Sequence, residues 1–411
     1  MIHRLEVKNF YSIRDDSSVS FLVGERAPKT SAYFTDVENT RLTKVLGVFG
    51  HNASGKTSIL KVLPFISWFI VSSFKDLETD EKITVRPFLF GKNQFEPTTF
   101  AVIFELEGSI YNYELVLSDT RVISEKLLKK SKRAKRSVFS MVFTRQYDVD
   151  RKKYRIVSTR IRLPKEIGVL VRQNCSLLSV LGHLESNILK DVRDYWTFHI
   201  SNVSEKGLNM ERQSMRYRST VETLAENRIL KKQVESLIQK YDIGLKGIEI
   251  QKEPIRNREG KQSYTYSLFG IHETRMHSEN NIPQKLEFEY ESAGTRTLLM
   301  TLTFLLTALS VKAPLVIFDE LDLGIHPHMT SELIDLFISP ETNPHNTQLF
   351  FSVHSPEIMS KLDKYQIMLV EKDNDGATSV YRLDEIKGVR SNDNFVAKYN
   401  AGAYGGIPDI Q

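Results

Sequence analysis

The chain has 411 residues, 41% hydrophobic and 26% charged, with a formal net charge of +5. This ordinary soluble balance can bury a sizeable core, enough for two domains or for one core domain with a large insertion. A single cysteine, Cys175, excludes an internal disulfide framework and points to a reducing, cytoplasmic compartment. The charged start Met1-Ile2-His3-Arg4-Leu5-Glu6 does not read as a secretory signal, and the apolar stretch Leu63–Val71 contains Pro64 and is too short for a membrane span, so no membrane is expected.

In chain order, His3–Phe10 alternates polar and apolar as a strand does, and Val19–Leu22 follows a polar turn as a second one. Residues 23–43 read as loop. Val45-Leu46-Gly47-Val48-Phe49 is a continuous apolar run suited to a buried strand, and Ser58–Leu63 reads as the first turns of a helix. Thr99–Leu106 and Tyr111–Leu117 flank Glu107-Gly108-Ser109 as a hairpin. A basic stretch follows, with Lys126, Lys129, Lys130, Lys132, Arg133, Lys135 and Arg136. It suits nucleic acid, an acidic partner or a phage protein, and equally a solvated loop; no aromatic residues interleave it for base stacking. Residues 165–241 read as mostly helical. After Glu287 come an apolar helix, Thr297–Leu309, and buried strands at Leu315–Phe318 and Gln348–Val353. Apolar strands alternating with helices predict an α/β sheet shared by the two ends of the chain.

Gly50-His51-Asn52-Ala53-Ser54-Gly55-Lys56-Thr57 matches the phosphate-loop pattern G-x-x-x-x-G-K-[ST] without deviation. Its backbone N–H groups would cradle phosphates, Lys56 would reach the β- and γ-phosphates, and Thr57 would place its hydroxyl on Mg²⁺. Gly50, Asn52, Ser54, Gly55 and Ser58 complete the predicted ATP contact. Asn52 and Ser54 give the loop the form that resembles RecF-like and SMC-like ATPases, and Ile2–Phe10 resembles the first strand of that class. Leu315–Phe318 runs into Asp319-Glu320. Asp319 is expected in the Mg²⁺ shell, and Glu320 as the group that polarises the attacking water.

Glu291-Ser292-Ala293-Gly294-Thr295-Arg296, with Gly294 25 residues before Asp319, resembles the ABC-class signature turn. The resemblance implies that Ser292 and Gly294 contact the γ-phosphate of an ATP held by another subunit, hence at least a dimer. Phe351–Pro356 resembles the switch-histidine segment, making His354 catalytic with Glu320 and Lys56, and Asp322 resembles the D-loop residue. His326 and His328 invite a metal reading, but no cysteine or carboxylate pair accompanies them. Gln94 is a poor match to the Q-loop. Nothing beside Cys175 suggests an activated nucleophile.

Several stretches resemble a narrower group, the RloA/AbiLi-like bacterial defence ATPases, related to the OLD nucleases and to the ATPase subunit of PARIS systems. They are Pro97–Phe100, Tyr111–Leu115, Ile123–Leu127, Leu369–Asp373 and Tyr399–Pro408. The resemblance implies an anti-phage ATPase that controls a separate toxic effector, such as a Toprim nuclease. Only 35 residues follow Asn374-Asp375-Gly376, which reads as a hairpin turn, so no nuclease domain is expected here. The expected architecture is an ABC-type (RecF/SMC-like) core, 1–120 with 286–411, carrying a basic and helical insertion at 121–285. The competing function is a RecF-like DNA repair ATPase that binds DNA directly.

Overall fold

The structure, a computed structural model, describes residues 1–130, 138–204, 207–208, 213–241, 244–256, 262–275 and 281–406. The middle of the basic stretch and the final Ile407-Pro408 of the C-terminal motif lie outside the described residues. The chain divides into two compact units: Met1–Asn209 with Ala313–Glu320 and Ile334–Gln411, and Met210–Lys312 with Leu321–Leu333. The division therefore falls elsewhere than at the expected boundaries of 121 and 285.

The first unit holds two large sheets. One has six strands in the order Ile200–Ser201, Leu315–Phe318, Gln348–Ser352, Val45–Phe49, Ile367–Lys372, Thr378–Arg382. The first five run parallel and the last returns antiparallel. Every residue of Val45–Phe49, Leu315–Phe318 and Gln348–Ser352 is buried, as expected for strands covered on both faces. Strands from both ends of the chain share this sheet, and Asn374–Gly376 forms the turn into its edge strand, with Gly376 at φ +78°.

The other sheet is antiparallel, with seven strands in the order Lys153–Ser158, Phe139–Asp148, Val122–Lys130, Ser109–Leu117, Thr98–Leu106, Ile2–Lys8, Ser17–Ser20. The hairpin at 107–108 has both turn residues left-handed, φ +47° and +66°, the twist that suits a two-residue loop. Strands from Val122 to Ser158 continue this sheet rather than opening an insertion. Leu177, Leu181 and Trp196, from helices Leu177–His183 and Lys190–Thr197, join the same core as Leu5, Phe100 and Leu115. Two further local expectations need correction. Residues 23–43 contain a small hairpin, Tyr33–Thr35 with Arg41–Thr43, and the helical region 165–241 is interrupted by short strands between 200 and 208.

The second unit carries a three-stranded antiparallel sheet, Gly247–Arg256, Gln262–Arg275 and Asn281–Glu287, with helices Gln213–Glu226, Arg228–Lys240 and Ala293–Ser310. Ala293–Ser310 is long and apolar enough to cross a membrane by length and composition, but half of it is buried, with Leu298, Leu299, Leu302 and Leu305 turned inward as in a core helix.

Candidate functional site

The phosphate loop leaves the buried strand Val45–Phe49 and enters a helix at Lys56. Ala53 (φ +63°) and Gly55 (φ +110°) are both left-handed, which turns backbone N–H groups inward as in an anion nest. Two glycines are required by close approach. A Cβ on Gly55 would lie 2.2 Å from Thr378 Oγ1, and one on Gly50 would lie 2.3 Å from Val370 O. Lys56 Nζ donates to Gly50 O (2.7 Å) and His51 O (3.2 Å), so the ammonium is folded over the loop it serves. Ser54 is fully buried and its hydroxyl has no hydrogen-bond partner, leaving a spare polar group inside the nest.

Asp319 and Glu320 end the strand Leu315–Phe318. Asp319 is almost wholly buried, and each of its polar atoms is engaged. Oδ2 accepts from Thr57 Oγ1 (2.7 Å) and Oδ1 accepts from Ser352 Oγ. Asn202 brackets its backbone: Oδ1 accepts from Asp319 N (2.8 Å), and Nδ2 donates to Asp319 O (2.9 Å). Glu320 sits at φ +59°, a conformation a non-glycine residue adopts only at some cost, while its N–H donates to Ser352 Oγ (2.8 Å). Its Oε1 lies 3.3 Å from His354 Nε2, with both side chains partly exposed. Ser352 thus holds both carboxylate residues at the mouth of adjacent parallel strands, where ligands collect in such sheets.

Ser54, Gly55, Lys56, Thr57, Asp319, Glu320 and His354 line one cavity of about 650 Å³, together with Asn52, Ser58, Tyr11, Ser12, Arg86, Phe88 and Phe90. A hydroxyl chain braces its wall: Ser12 Oγ lies 2.8 Å from both Ser58 Oγ and Thr378 Oγ1, and Thr378 Oγ1 donates to Ser54 O (2.9 Å). Phe88 is buried, whereas Phe90 is 64% exposed at the rim. Of the predicted residues, the structure brings together Asn52, Ser54, Gly55, Lys56, Thr57, Ser58, Asp319, Glu320 and His354 on the cavity wall, with Gly50 opening the same loop. Sequence reasoning missed Asn202, Ser12, Thr378 and Phe90. Gln94, in the 3-10 turn Gly91–Phe95, donates to Gly91 O, and the cavity wall is formed by Arg86–Phe90 instead.

Ser292, Gly294 and Asp322 belong to the second unit. Ser292 caps the helix Ala293–Ser310, its Oγ accepting from Thr295 N (3.1 Å). A Cβ on Gly294 would lie 3.3 Å from Gly324 O, so the signature-like turn and the loop after Asp322 pack closely. Asp322 is buried and its carbonyl accepts from Ile325 N (3.1 Å). The rings of His326 and His328 stack 5.2 Å apart, and no carboxylate gathers with them as a metal cluster among the described residues. Burial raises the Cys175 thiol pKa, which leaves it an unreactive core group.

The loop and the groups around it form a nucleotide phosphate site. Thr57 and Asp319 present hard oxygen donors side by side, the loop offers an anion nest, and Lys56 supplies the cation. Such a loop, feeding a carboxylate pair across a parallel sheet, defines an ATP-binding P-loop domain. The chain belongs to the AAA family described as "AAA domain, putative AbiEii toxin, Type IV TA system", whose model matches residues 45–360.

Three solved structures are similar in fold. The SmcHead bound to the C-winged helix domain of ScpA is 15% identical, with a TM-score of 0.47, covering 93% of this chain and 97% of its own. The SMC head domain from Thermotoga maritima is 13% identical, with a TM-score of 0.42, covering 93% and 98%. The Smc head domain with an extended coiled coil, bound to the C-terminal domain of ScpA derived from Pyrococcus furiosus, is 13% identical, with a TM-score of 0.43, covering 93% and 96%. No curated protein matches the chain.

Proposed function

We propose that this chain is the ATP-hydrolysing subunit of a cytoplasmic anti-phage defence system of the RloA/AbiLi-like kind. It forms at least a dimer with ATP held between subunits, and nucleotide state controls a separate toxic effector such as a Toprim nuclease. The observation that carries the enzymatic part is the placement of Glu320. The carboxylate is held by a left-handed backbone and Ser352 beside the Thr57–Asp319 pair, with His354 within 3.3 Å.

In this reading Lys56 turns from the loop carbonyls onto the β- and γ-phosphate oxygens, where its charge offsets the charge that develops during transfer. Mg²⁺, held through Thr57 and Asp319, neutralises the phosphates when bound. Glu320 accepts a hydrogen bond from the attacking water and orients it in line, and His354 fixes the carboxylate and the water from the neighbouring strand end. The exposed face of Phe90 gives the base an apolar surface to lie against. Ser292, exposed at a helix N-terminus, would supply the contact to the ATP of a second subunit. The family description, with its toxin–antitoxin wording, supports a partner protein as the output.

The test is particle mass in solution together with ATP turnover for wild type and Glu320→Gln, with and without ATP and duplex DNA. ATP-dependent assembly of Glu320→Gln, with turnover by wild type indifferent to DNA, is the expected result. A monomer under all conditions contradicts the proposal, and turnover raised several-fold by DNA replaces it with a RecF-like repair ATPase.

A further inference from the structure

Away from the nucleotide cavity, three titratable side chains from separate elements of the first unit converge in the interior. They are His3 of the strand Ile2–Lys8, Asp36 between the short strands Tyr33–Thr35 and Arg41–Thr43, and Glu105 of the strand Thr98–Leu106. His3 is buried in alternation with exposed Arg4 and Glu6, as Leu5 and Val7 are, and the pairing of this strand with Thr98–Leu106 shifts register between Ile2 and Arg4. Bulges of this kind re-aim a side chain.

The geometry is unusual for a structural ion pair. His3 Nε2 lies 3.6 Å from Asp36 Oδ2 and 3.9 Å from Glu105 Oε2, too far for hydrogen bonds. All three ligand atoms lie within 4.8 Å of one another. The His3 and Asp36 side chains are 6% and 1% exposed, and both His3 Nε2 and Asp36 Oδ2 lack any hydrogen-bond partner. The other oxygen of Asp36 is fully used, accepting from Glu38 N (2.8 Å) and Thr40 N (2.7 Å), so Oδ2 is held pointing at His3. Two carboxylates thus face one imidazole with ligand atoms left unsatisfied, the Glu105 side chain being 14% exposed.

We infer that His3, Asp36 and Glu105 form a binding site for a divalent first-row transition cation, which ties the edge hairpin to the antiparallel sheet. An imidazole nitrogen with two carboxylate oxygens suits Zn²⁺ or Mn²⁺. Ligand bonds of about 2.0–2.2 Å place neighbouring donors roughly 3–3.5 Å apart, so a small inward shift closes the site. A +2 ion also gives the unpartnered His3 and Asp36 atoms a partner. The role is structural: the site shares no residue with the cavity that holds Lys56 and Asp319.

The experiment uses the full chain, stripped with chelator, equilibrated with Zn²⁺ without nucleotide, and desalted. Metal content is read by elemental analysis and unfolding by calorimetry. The expected result is one zinc per chain and a melting temperature raised by about 3 °C or more at saturating Zn²⁺. Asp36→Asn, whose remaining carbonyl keeps the turn bonds, and Glu105→Gln should each lose the bound metal and the thermal shift. Zinc retained equally by wild type and both variants, or no zinc retained by folded wild type, overturns the inference. So does a stability that ignores metal and falls only as pH rises through the histidine range, because that leaves a histidinium ion pair.

Discussion

The two large sheets of the first unit both bury charged groups, and they treat them in opposite ways. In the antiparallel sheet, Glu125 and Arg145 are fully buried and close upon their surroundings. Glu125 accepts from Tyr113 OH (3.0 Å), Ser176 Oγ (2.6 Å) and Leu177 N (3.0 Å), while Arg145 donates to the carbonyls of Cys175 and Arg172 (both 2.6 Å). The network seats the first turn of the helix Leu177–His183 on the sheet and leaves the carboxylate nothing to offer a ligand. At the ends of the parallel strands Asp319 is engaged at each polar atom, but its neighbours are aimed at the cavity. Lys56 rests on loop carbonyls, Ser54 Oγ is unpartnered, and Glu320 is fixed through its backbone while its carboxylate faces the cavity. A closed network away from the cavity marks a structural polar group, and a rigid mount on the cavity wall marks a working one.

Substitutions can break or sharpen that contrast. In the parallel sheet, Lys56→Ala or Glu320→Gln should lower ATP turnover by roughly 10²–10⁴-fold with the melting temperature nearly unchanged, read by phosphate release and calorimetry. In the antiparallel sheet the signs reverse. Arg145→Met strands the Glu125 carboxylate and should cost about 3–5 kcal/mol of stability by denaturant unfolding, with turnover per folded molecule preserved. If Arg145→Met instead lowers turnover at unchanged stability, the contrast is wrong.

Asn202→Ala tests the boundary between the two kinds. It removes partners from the buried N–H and C=O of Asp319, so it should cost about 1–3 kcal/mol and also weaken the magnesium dependence of turnover. Phe90→Ala should raise KM for ATP by roughly tenfold with kcat little changed, if the base stacks there at about 1–3 kcal/mol. The smallest effect is expected at Ala53. Ala53→Gly relieves a left-handed alanine and should stabilise the loop by about 0.5–1 kcal/mol while nucleotide binding persists.

Much of the working half was legible because its signals are local. Val45–Phe49 and Leu315–Phe318 are continuous apolar runs, which is what parallel strands covered on both faces require. The loop from Gly50 to Thr57 and the pair Asp319-Glu320 follow those runs directly in the chain. What was not legible depends on distant pairing. Asn202 follows a strand of two residues, too short to leave a periodic trace, and reaches Asp319 across 117 positions. Val122–Lys130 reads as a basic run because its lysines form the less buried side of a strand, and its buried Glu125 finds Arg145 only in the next strand. There Lys126 meets Glu114, Lys129 lies over Tyr111, and Lys130 meets Glu38 (2.5 Å), so three of the basic residues set aside for a partner are engaged within the chain. His3 sits where the pairing of its strand shifts register, and a register shift has no sequence mark of its own.

The most direct test of the central claim pairs ATP binding at equilibrium with phosphate release, in Mg²⁺, for wild type and Glu320→Gln. The account predicts near-equal binding and release reduced at least about 100-fold in the variant. Equal release from both proteins would show that Glu320 does not act on the attacking water, and loss of binding in Glu320→Gln would show that it holds the nucleotide instead.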